Sequence, residues 1–146
     1  MEENLTYQQL IKETFACPEQ DIRSYSPLAL AYIGDGIYEL ILRTVVLAQG
    51  NKQPDKLHKQ VIRLVKAETQ CKLYDIWGDE LTEEEKDILR RGRNAKSYSS
   101  AKNASKSDYR KATGVEALFG YLYLTEQMPR AVRLLKSGME KAEIAL

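Results

Sequence analysis

The sequence is poor in the residues that mark secreted, metal-thiolate and histidine-based proteins. Among 146 residues there are two cysteines, Cys17 and Cys71, and they belong to no CxxC or Cys/His cluster. A zinc site and a disulfide framework are therefore not expected. The single histidine, His58, has no accompanying Ser, Cys or Asp constellation, and the polar, acidic start "MEENLTYQQL" lacks the features of a signal peptide. These absences predict a cytoplasmic protein with free thiols.

Long apolar runs and strand patterns are equally scarce. The most apolar stretch, 28–47, is interrupted by Asp35, Glu39 and Arg43, well before the roughly 20 residues of a membrane span. There is no Asn-Gly hairpin and no sustained period-two alternation. A chain of this length with 43% hydrophobic residues can bury a core of its own. We therefore predict one all-α domain over residues 1–146.

Helical periodicity and end signals predict six helices. Ser26 followed by Pro27 is typical of a helix start, as is Thr82 with Glu85 three residues later. Gly92 is interpreted as the end of the fourth helix and Ser107 or Asp108 as the cap of the fifth. The predicted helices cover about 7–15, 27–50, 54–74, 83–92, 108–125 and 129–143.

The stretch "LALAYIGDGIYEL" places Asp35 between two glycines in a segment that otherwise has the character of a core helix. An acid out of water needs a partner. Gly34 and Gly36 each disfavour a helix interior by about 1 kcal/mol, which suggests that another backbone or a ligand comes close. One interpretation is that Asp35 pairs with a Lys or Arg and that Glu39, on the same helical face, is solvated.

A second acid lies near a glycine in "ATGVEALFGYLYL", where Glu116 and Gly120 share a face. Two helices that cross at such glycines would bring Asp35 and Glu116 together. Two close carboxylates require a proton or a cation. Because the ligands are hard oxygens without clustered Cys or His, Mg²⁺ or Mn²⁺ fits best. Glu39 is a candidate ligand through water.

The net charge of +1 hides a basic region. Five acids occupy 79–85 without a basic residue, whereas 86–111 carries nine Lys or Arg against two Asp. A solvated charged loop is one interpretation, but the lack of balancing acids favours a polyphosphate partner. The residue types suit phosphate and sugar contacts. The candidate RNA-binding residues are Arg91, Arg93, Asn94, Lys96, Lys102 and Lys106, with Lys59 and Arg63 of the third predicted helix.

With these residues in view, the sequence resembles a known family. "LALAYIGDGIYEL" resembles the ribonuclease III signature, and "GVEALFGYLYL" resembles the second acidic helix of that family. "RRGRNAKS" and the following stretch to "YRKATGVEAL" are similar to the mini-ribonuclease III branch, which has a catalytic domain without a double-stranded RNA-binding domain. The resemblance spans Leu28 to Leu124.

The resemblance implies a ribonuclease III-like helical bundle of six or seven helices and a homodimer that hydrolyses double-stranded RNA with Mg²⁺. Asp35 falls on the catalytic aspartate of the family and Glu116 on its metal-binding glutamate. Ala31 and Thr113 stand where the larger enzymes have further acids. The substrate implied is precursor 23S ribosomal RNA, cut at both ends in rRNA processing and ribosome biogenesis, and a ribosomal protein that shapes the RNA is a candidate partner.

Two other functions fit the same residues. A non-catalytic module that binds double-stranded RNA would keep the fold without the chemistry, as the missing acids at Ala31 and Thr113 allow. A helical protein-interaction domain would use the basic region to bind an acidic partner. Incubation with duplex RNA distinguishes the three functions. The enzyme would cut the RNA, the RNA-binding module would bind it without cutting, and the protein-interaction domain would not bind it.

Overall fold

The computed structural model describes residues 4–95 and 106–146, and within them the fold is all-α. The expected fold class is confirmed. No helix in the described part is long and apolar enough to cross a membrane. Within the described residues the α-helices are α1 Tyr7–Thr14, α2 Pro27–Ala48, α3 Pro54–Val65, α4 Ala67–Trp77, α5 Glu83–Asn94, α6 Lys106–Leu124 and α7 Met128–Lys141.

The predicted helix starts are confirmed where a side chain caps the backbone. The Ser26 hydroxyl accepts a hydrogen bond from the Ala29 amide at 3.1 Å, and Pro27 follows as the first residue of α2. At α5, Thr82 and Glu85 bond reciprocally to each other's backbone amides at 2.9 and 3.1 Å. These capping bonds satisfy amides that have no partner within the helix.

The prediction of one helix over 54–74 is wrong, because the chain breaks at Lys66. Lys66 has an extended backbone (φ −66°, ψ 156°), so α3 ends at Val65 and α4 starts at Ala67. The buried Tyr38 hydroxyl donates to the Leu64 carbonyl at 2.7 Å, and the Thr69 hydroxyl donates to the Arg63 carbonyl at the same distance. Side chains thus satisfy the carbonyls that the break leaves without helical partners.

The fold is built around α6, which packs against α2, α4 and α5. A Cβ added at Gly34 of α2 would lie 1.6 Å from the Glu116 carbonyl oxygen, and one added at Gly120 of α6 would lie 1.9 Å from the Leu30 carbonyl oxygen. Only glycine fits at these two positions, because the obstacle is backbone. The two glycines let the α2 and α6 backbones touch.

The predicted helix ends near 92 and 108 are also corrected. Gly92 lies inside α5, which continues to Asn94, and a Cβ there would lie 2.8 Å from the Gly114 Cα. Its role is close packing of α5 on α6 rather than helix termination. Ser107 and Asp108 lie in the first turn of α6, which starts at Lys106, so neither is the residue before the helix.

The core holds the large side chains of α2, α4 and α6. Phe119 contacts Tyr38 edge to face with ring centroids 5.4 Å apart, and the ring centroid of Trp77 lies 6.3 Å from that of Phe119. The Trp77 indole donates to the Leu134 carbonyl at 2.9 Å, which ties α4 to α7. This core fixes α6 in position and with it Glu116.

An ion pair not anticipated from the sequence ties α7 to α5. The Glu85 side chain is buried, and the Arg130 guanidinium donates to its two oxygens at 2.8 and 2.9 Å. Arg130 also donates to the Glu80 carbonyl at 2.8 Å. The Arg130 guanidinium holds the pKa of Glu85 below its ordinary value. The acidic stretch 79–85 therefore has a structural function at α7.

Candidate active site

The α2–α6 crossing brings two acids together. Asp35 follows Gly34, the glycine that touches the Glu116 carbonyl, and the Asp35 side chain interacts with the Glu116 carboxyl as a hydrogen-bonding neighbour and as a negative charge. Asp35 is exposed, whereas Glu116 is half-buried. The expectation of a buried Asp35 is thus wrong, since Glu116 is the acid withdrawn from water. The structure confirms the predicted proximity of the two acids.

The electrostatics of the pair favour a proton or a cation. Burial, and after it the neighbouring Asp35, raise the pKa of Glu116 to about 8. The Gln70 side chain opposes this shift. Asp35 forms no ion pair with any Lys or Arg that the structure describes. The simple ion-pair interpretation of Asp35 therefore finds no support in that part of the chain.

The donor atoms of the pair fit a divalent cation. Two adjacent carboxylates offer hard oxygen ligands, and a cation would offset both the burial and the Asp35 charge that disfavour the ionised form of Glu116. Among the described residues there is no group of three or more His, Cys, Asp or Glu side chains suited to a metal. Further ligands would come from water or from a substrate phosphate.

The two positions without acids add no ligand. Ala31 is a buried core residue, and Thr113 is buried with its hydroxyl donating to the Tyr109 carbonyl at 3.0 Å. Glu39 points its carboxylate at Arg43, 3.1 Å away, in an i,i+4 pair. Its role as a ligand through water stays a prediction.

The described candidate RNA-binding residues lie on the surface. Arg91 and Arg93 near the end of α5, and Lys59 and Arg63 on α3, are exposed and form no ion pair within 4–95 and 106–146. Asn94, the last residue of α5, is exposed as well. Lys96 and Lys102 lie outside the described residues, and Lys106 is described only as the first residue of α6.

Sequence reasoning missed one residue of this region, Gln70. Its side chain lies inside the fold on α4 and acts on the Glu116 carboxyl. A glutamine amid the helix formers of "AETQCKLYDIW" carries no signal of such a position. Only the helical spacing from Leu73 and Trp77, which are both buried, indicates that it faces the core.

The shifted pKa of Glu116 predicts the pH dependence of stability in the absence of divalent cations. The folded pKa of about 8 lies above the ordinary 4.5, so between these values the folded chain binds a proton that the unfolded chain releases. Stability should therefore fall as pH rises through this window, by up to about 1.4 kcal/mol per pH unit. Urea unfolding in EDTA at pH 5 to 8 measures this dependence. Glu116→Gln should flatten the slope, and an unchanged slope in that variant would contradict the assignment.

Comparison with known proteins agrees with this geometry. The family model of the Ribonuclease III domain matches residues 28–127, which include both acids and the glycine crossing. The chain belongs to the ribonuclease III family. It is therefore an endoribonuclease of that family, as the sequence resemblance implied.

Individual relatives within the ribonuclease III family cover most of the chain. A Mini-ribonuclease 3 of Thermoanaerobacter sp. (strain X514) is 42% identical over 91% of this chain and 94% of its own length. A Mini-ribonuclease 3 of Clostridium tetani is 46% identical over 81% of this chain and 79% of its own. The crystal structure of a Fusobacterium nucleatum protein aligns with a TM-score of 0.74 at 32% identity, covering 84% of this chain and 98% of that one.

Proposed function

We propose that the protein is a divalent-metal-dependent endoribonuclease that cuts double-stranded RNA, with an active site formed by Asp35 and Glu116. The observation that carries the proposal is the acid pair at the glycine crossing, where Asp35 and burial together raise the pKa of Glu116 to about 8. The exposed basic residues of α3 and α5 supply a cationic surface for the substrate. Membership of the ribonuclease III family supports the same reaction class.

Asp35 and Glu116 would hold the cation, Mg²⁺ or Mn²⁺. When bound, it supplies Lewis-acid polarisation of the scissile phosphate and a water of lowered pKa for attack in line. The exposed Asp35 carboxylate would provide the ligand that substrate can approach, whereas the half-buried Glu116 is fixed by the packing of α6. The sole histidine, His58, lies on α3 and has no part in this proposal.

RNA would be bound through its backbone. The grooves of A-form RNA favour recognition by shape and phosphate contacts. Exposed donors for this purpose lie at the end of α5, on Arg91, Arg93 and Asn94, and on α3, on Lys59 and Arg63. Lys96, Lys102 and Lys106 remain proposed contacts from the sequence.

Removing phosphate contacts should change the salt dependence of binding. For the double variant Lys59→Ala/Arg63→Ala we expect weaker binding to duplex RNA and a slope of log K against log salt shallower by about one unit per lost contact. Filter binding at several salt concentrations measures the slope. Lys12→Ala on α1 is a control for loss of one exposed charge. Identical slopes for wild type and the double variant would exclude these residues from the RNA surface.

The substrate that we propose is precursor 23S ribosomal RNA, cut at both ends in the cytoplasm. A ribosomal protein that shapes this RNA is a proposed partner. The support is the similarity to proteins named Mini-ribonuclease 3. Cleavage of precursor 23S RNA with and without bound ribosomal proteins tests both statements, and failure to cut this RNA in either state would contradict the choice of substrate.

We also propose a homodimer formed through α2. Exposed apolar side chains at Leu28, Tyr32 and Leu40 recur at multiples of four residues along α2, with Tyr32 84% exposed. Such a stripe is typical of a helix that packs against another surface. A two-fold dimer provides two sites, one for each strand of a duplex. Sedimentation at the 16.7 kDa of one chain would contradict the dimer.

The direct test of the proposed function uses a perfect RNA duplex and a single-stranded RNA of the same sequence. We expect cleavage of the duplex in Mg²⁺, none in EDTA, and recovery when Mg²⁺ is restored in excess. Binding of the duplex without cleavage in Mg²⁺ would support the alternative of a non-catalytic RNA-binding module. Cleavage that persists in EDTA would contradict the metal dependence.

A further inference from the structure

Gln70 has a buried amide without a hydrogen bond. The residue lies on α4 with 2% of its surface exposed, and its Nε2 reaches no acceptor with hydrogen-bonding geometry among the described residues. A buried amide donor without a partner destabilises a fold. An apolar side chain of the same shape would serve packing better, so the amide calls for a functional explanation.

The surroundings of Gln70 point to Glu116. The Gln70 side chain lies within hydrogen-bonding reach of the Glu116 carboxyl. Tyr38 also lies near Glu116, but its hydroxyl already donates to the Leu64 carbonyl at 2.7 Å. The amide of Gln70 is thus a nearby donor that is still available to Glu116.

The backbone that carries Gln70 is fixed. It lies one turn into α4, directly after the break at Lys66, where the Thr69 hydroxyl donates to the Arg63 carbonyl at 2.7 Å. α4 packs against α6. With the backbone held in this way, a flip of the side-chain amide would exchange the positions of Nε2 and Oε1 beside the Glu116 carboxyl.

We propose that Gln70 is a positioning residue for Glu116. Its Nε2 donates to one oxygen of the ionised carboxylate, which leaves the other oxygen turned toward Asp35 and the cation. An amide nitrogen only donates hydrogen bonds, and an ionised carboxylate only accepts them, so the two groups complement each other. This role rests on the proposed cation site, where residues behind a ligand commonly fix its orientation.

The test separates cation binding from folding. Gln70→Met keeps the size of the side chain and removes the amide. We expect Mn²⁺ affinity, measured by electron paramagnetic resonance of free Mn²⁺, to fall about 10- to 100-fold. The urea midpoint in EDTA should stay the same or rise, because a buried unpaired amide is removed. If Gln70 served only the stability of the fold, Gln70→Met would lower the urea midpoint and leave Mn²⁺ affinity unchanged, and this result would overturn the proposal.

Gln8 offers a matched control. It is also buried, and its Oε1 has no hydrogen-bond partner among the described residues, but its Nε2 donates to the Tyr123 carbonyl at 2.8 Å and to Glu126 at 3.1 Å. Gln8→Met should lower the urea midpoint and leave Mn²⁺ affinity unchanged. If Gln70→Met does not fold, Gln70→Asn carries the test, since it keeps the amide but withdraws it from Glu116 by one methylene.

The failures of the two proposals are distinguishable. If the wild-type protein binds Mn²⁺ and folded Gln70→Met binds it with equal affinity, the role of Gln70 is overturned and the proposed function stands. Wild-type protein without measurable Mn²⁺ binding would overturn the cation site and with it the positioning role.

Discussion

Gly34→Ala is expected to lower the unfolding temperature by on the order of 10 °C. The added Cβ would lie 1.6 Å from the Glu116 carbonyl oxygen and 2.6 Å from the Gly120 amide nitrogen. Both obstacles are backbone, so no side-chain rotation relieves them and the α2–α6 crossing must open. We expect a loss of at least about 3 kcal/mol, at the upper end for overpacked cores, and a corresponding shift in thermal denaturation.

Gly36→Ala is the matched control two residues away on the same helix. A Cβ at Gly36 meets nothing within 4 Å, and alanine favours a helix interior over glycine by up to about 1 kcal/mol. We expect the unfolding temperature of this variant to equal or exceed that of the wild type, as followed by circular dichroism. Equal losses in Gly34→Ala and Gly36→Ala would contradict the glycine crossing.

Asp35→Asn is expected to reduce duplex RNA cleavage on the order of 10³-fold or more. The substitution keeps the shape of an exposed side chain, so folding should be preserved. It removes one of the two charges proposed to hold the cation and to stabilise charge in the transition state. Single-turnover cleavage of a perfect duplex measures the loss, and RNA affinity in EDTA should be unchanged. Cleavage at the wild-type rate would contradict the proposed mechanism.

Glu116→Gln should show a similar loss of cleavage with equal or higher stability in EDTA at pH 8. The folded pKa of about 8 means that ionised Glu116 disfavours the folded state. Glu39→Gln provides the comparison, because its carboxylate is engaged by Arg43 at 3.1 Å. A loss below tenfold in this variant would exclude Glu39 as a ligand through water, whereas a loss comparable to that of Asp35→Asn would place it in the site.

The parts of the site that could be predicted from sequence rest on local rules. In both α2 and α6 a glycine lies close in sequence to an acid, Gly34 to Asp35 and Gly120 to Glu116. The structure brings these two helices together at the glycines. The capping pair Thr82 and Glu85 sets the start of α5 as predicted. Such features depend on residues close in sequence, which is why the sequence alone reveals them.

The parts that could not be predicted depend on contacts between distant residues. The break at Lys66 leaves carbonyls that Tyr38, from α2, helps to satisfy, and no local signal at 63–67 indicates it. Because glycine commonly ends helices, the sequence predicts a helix end at Gly92, yet this glycine packs on Gly114 inside α5. The position of Gln70 behind Glu116 likewise follows from the packing of α4 on α6.

The most direct test of the proposed site is a crystal of the wild-type protein soaked in Mn²⁺, with anomalous diffraction data. We expect an anomalous difference peak between the Asp35 and Glu116 carboxylates and no peak there in crystals of Asp35→Asn soaked in the same way. A wild-type crystal that lacks the peak at this pair, or that binds Mn²⁺ only elsewhere, would contradict the assignment of Asp35 and Glu116 as the cation site.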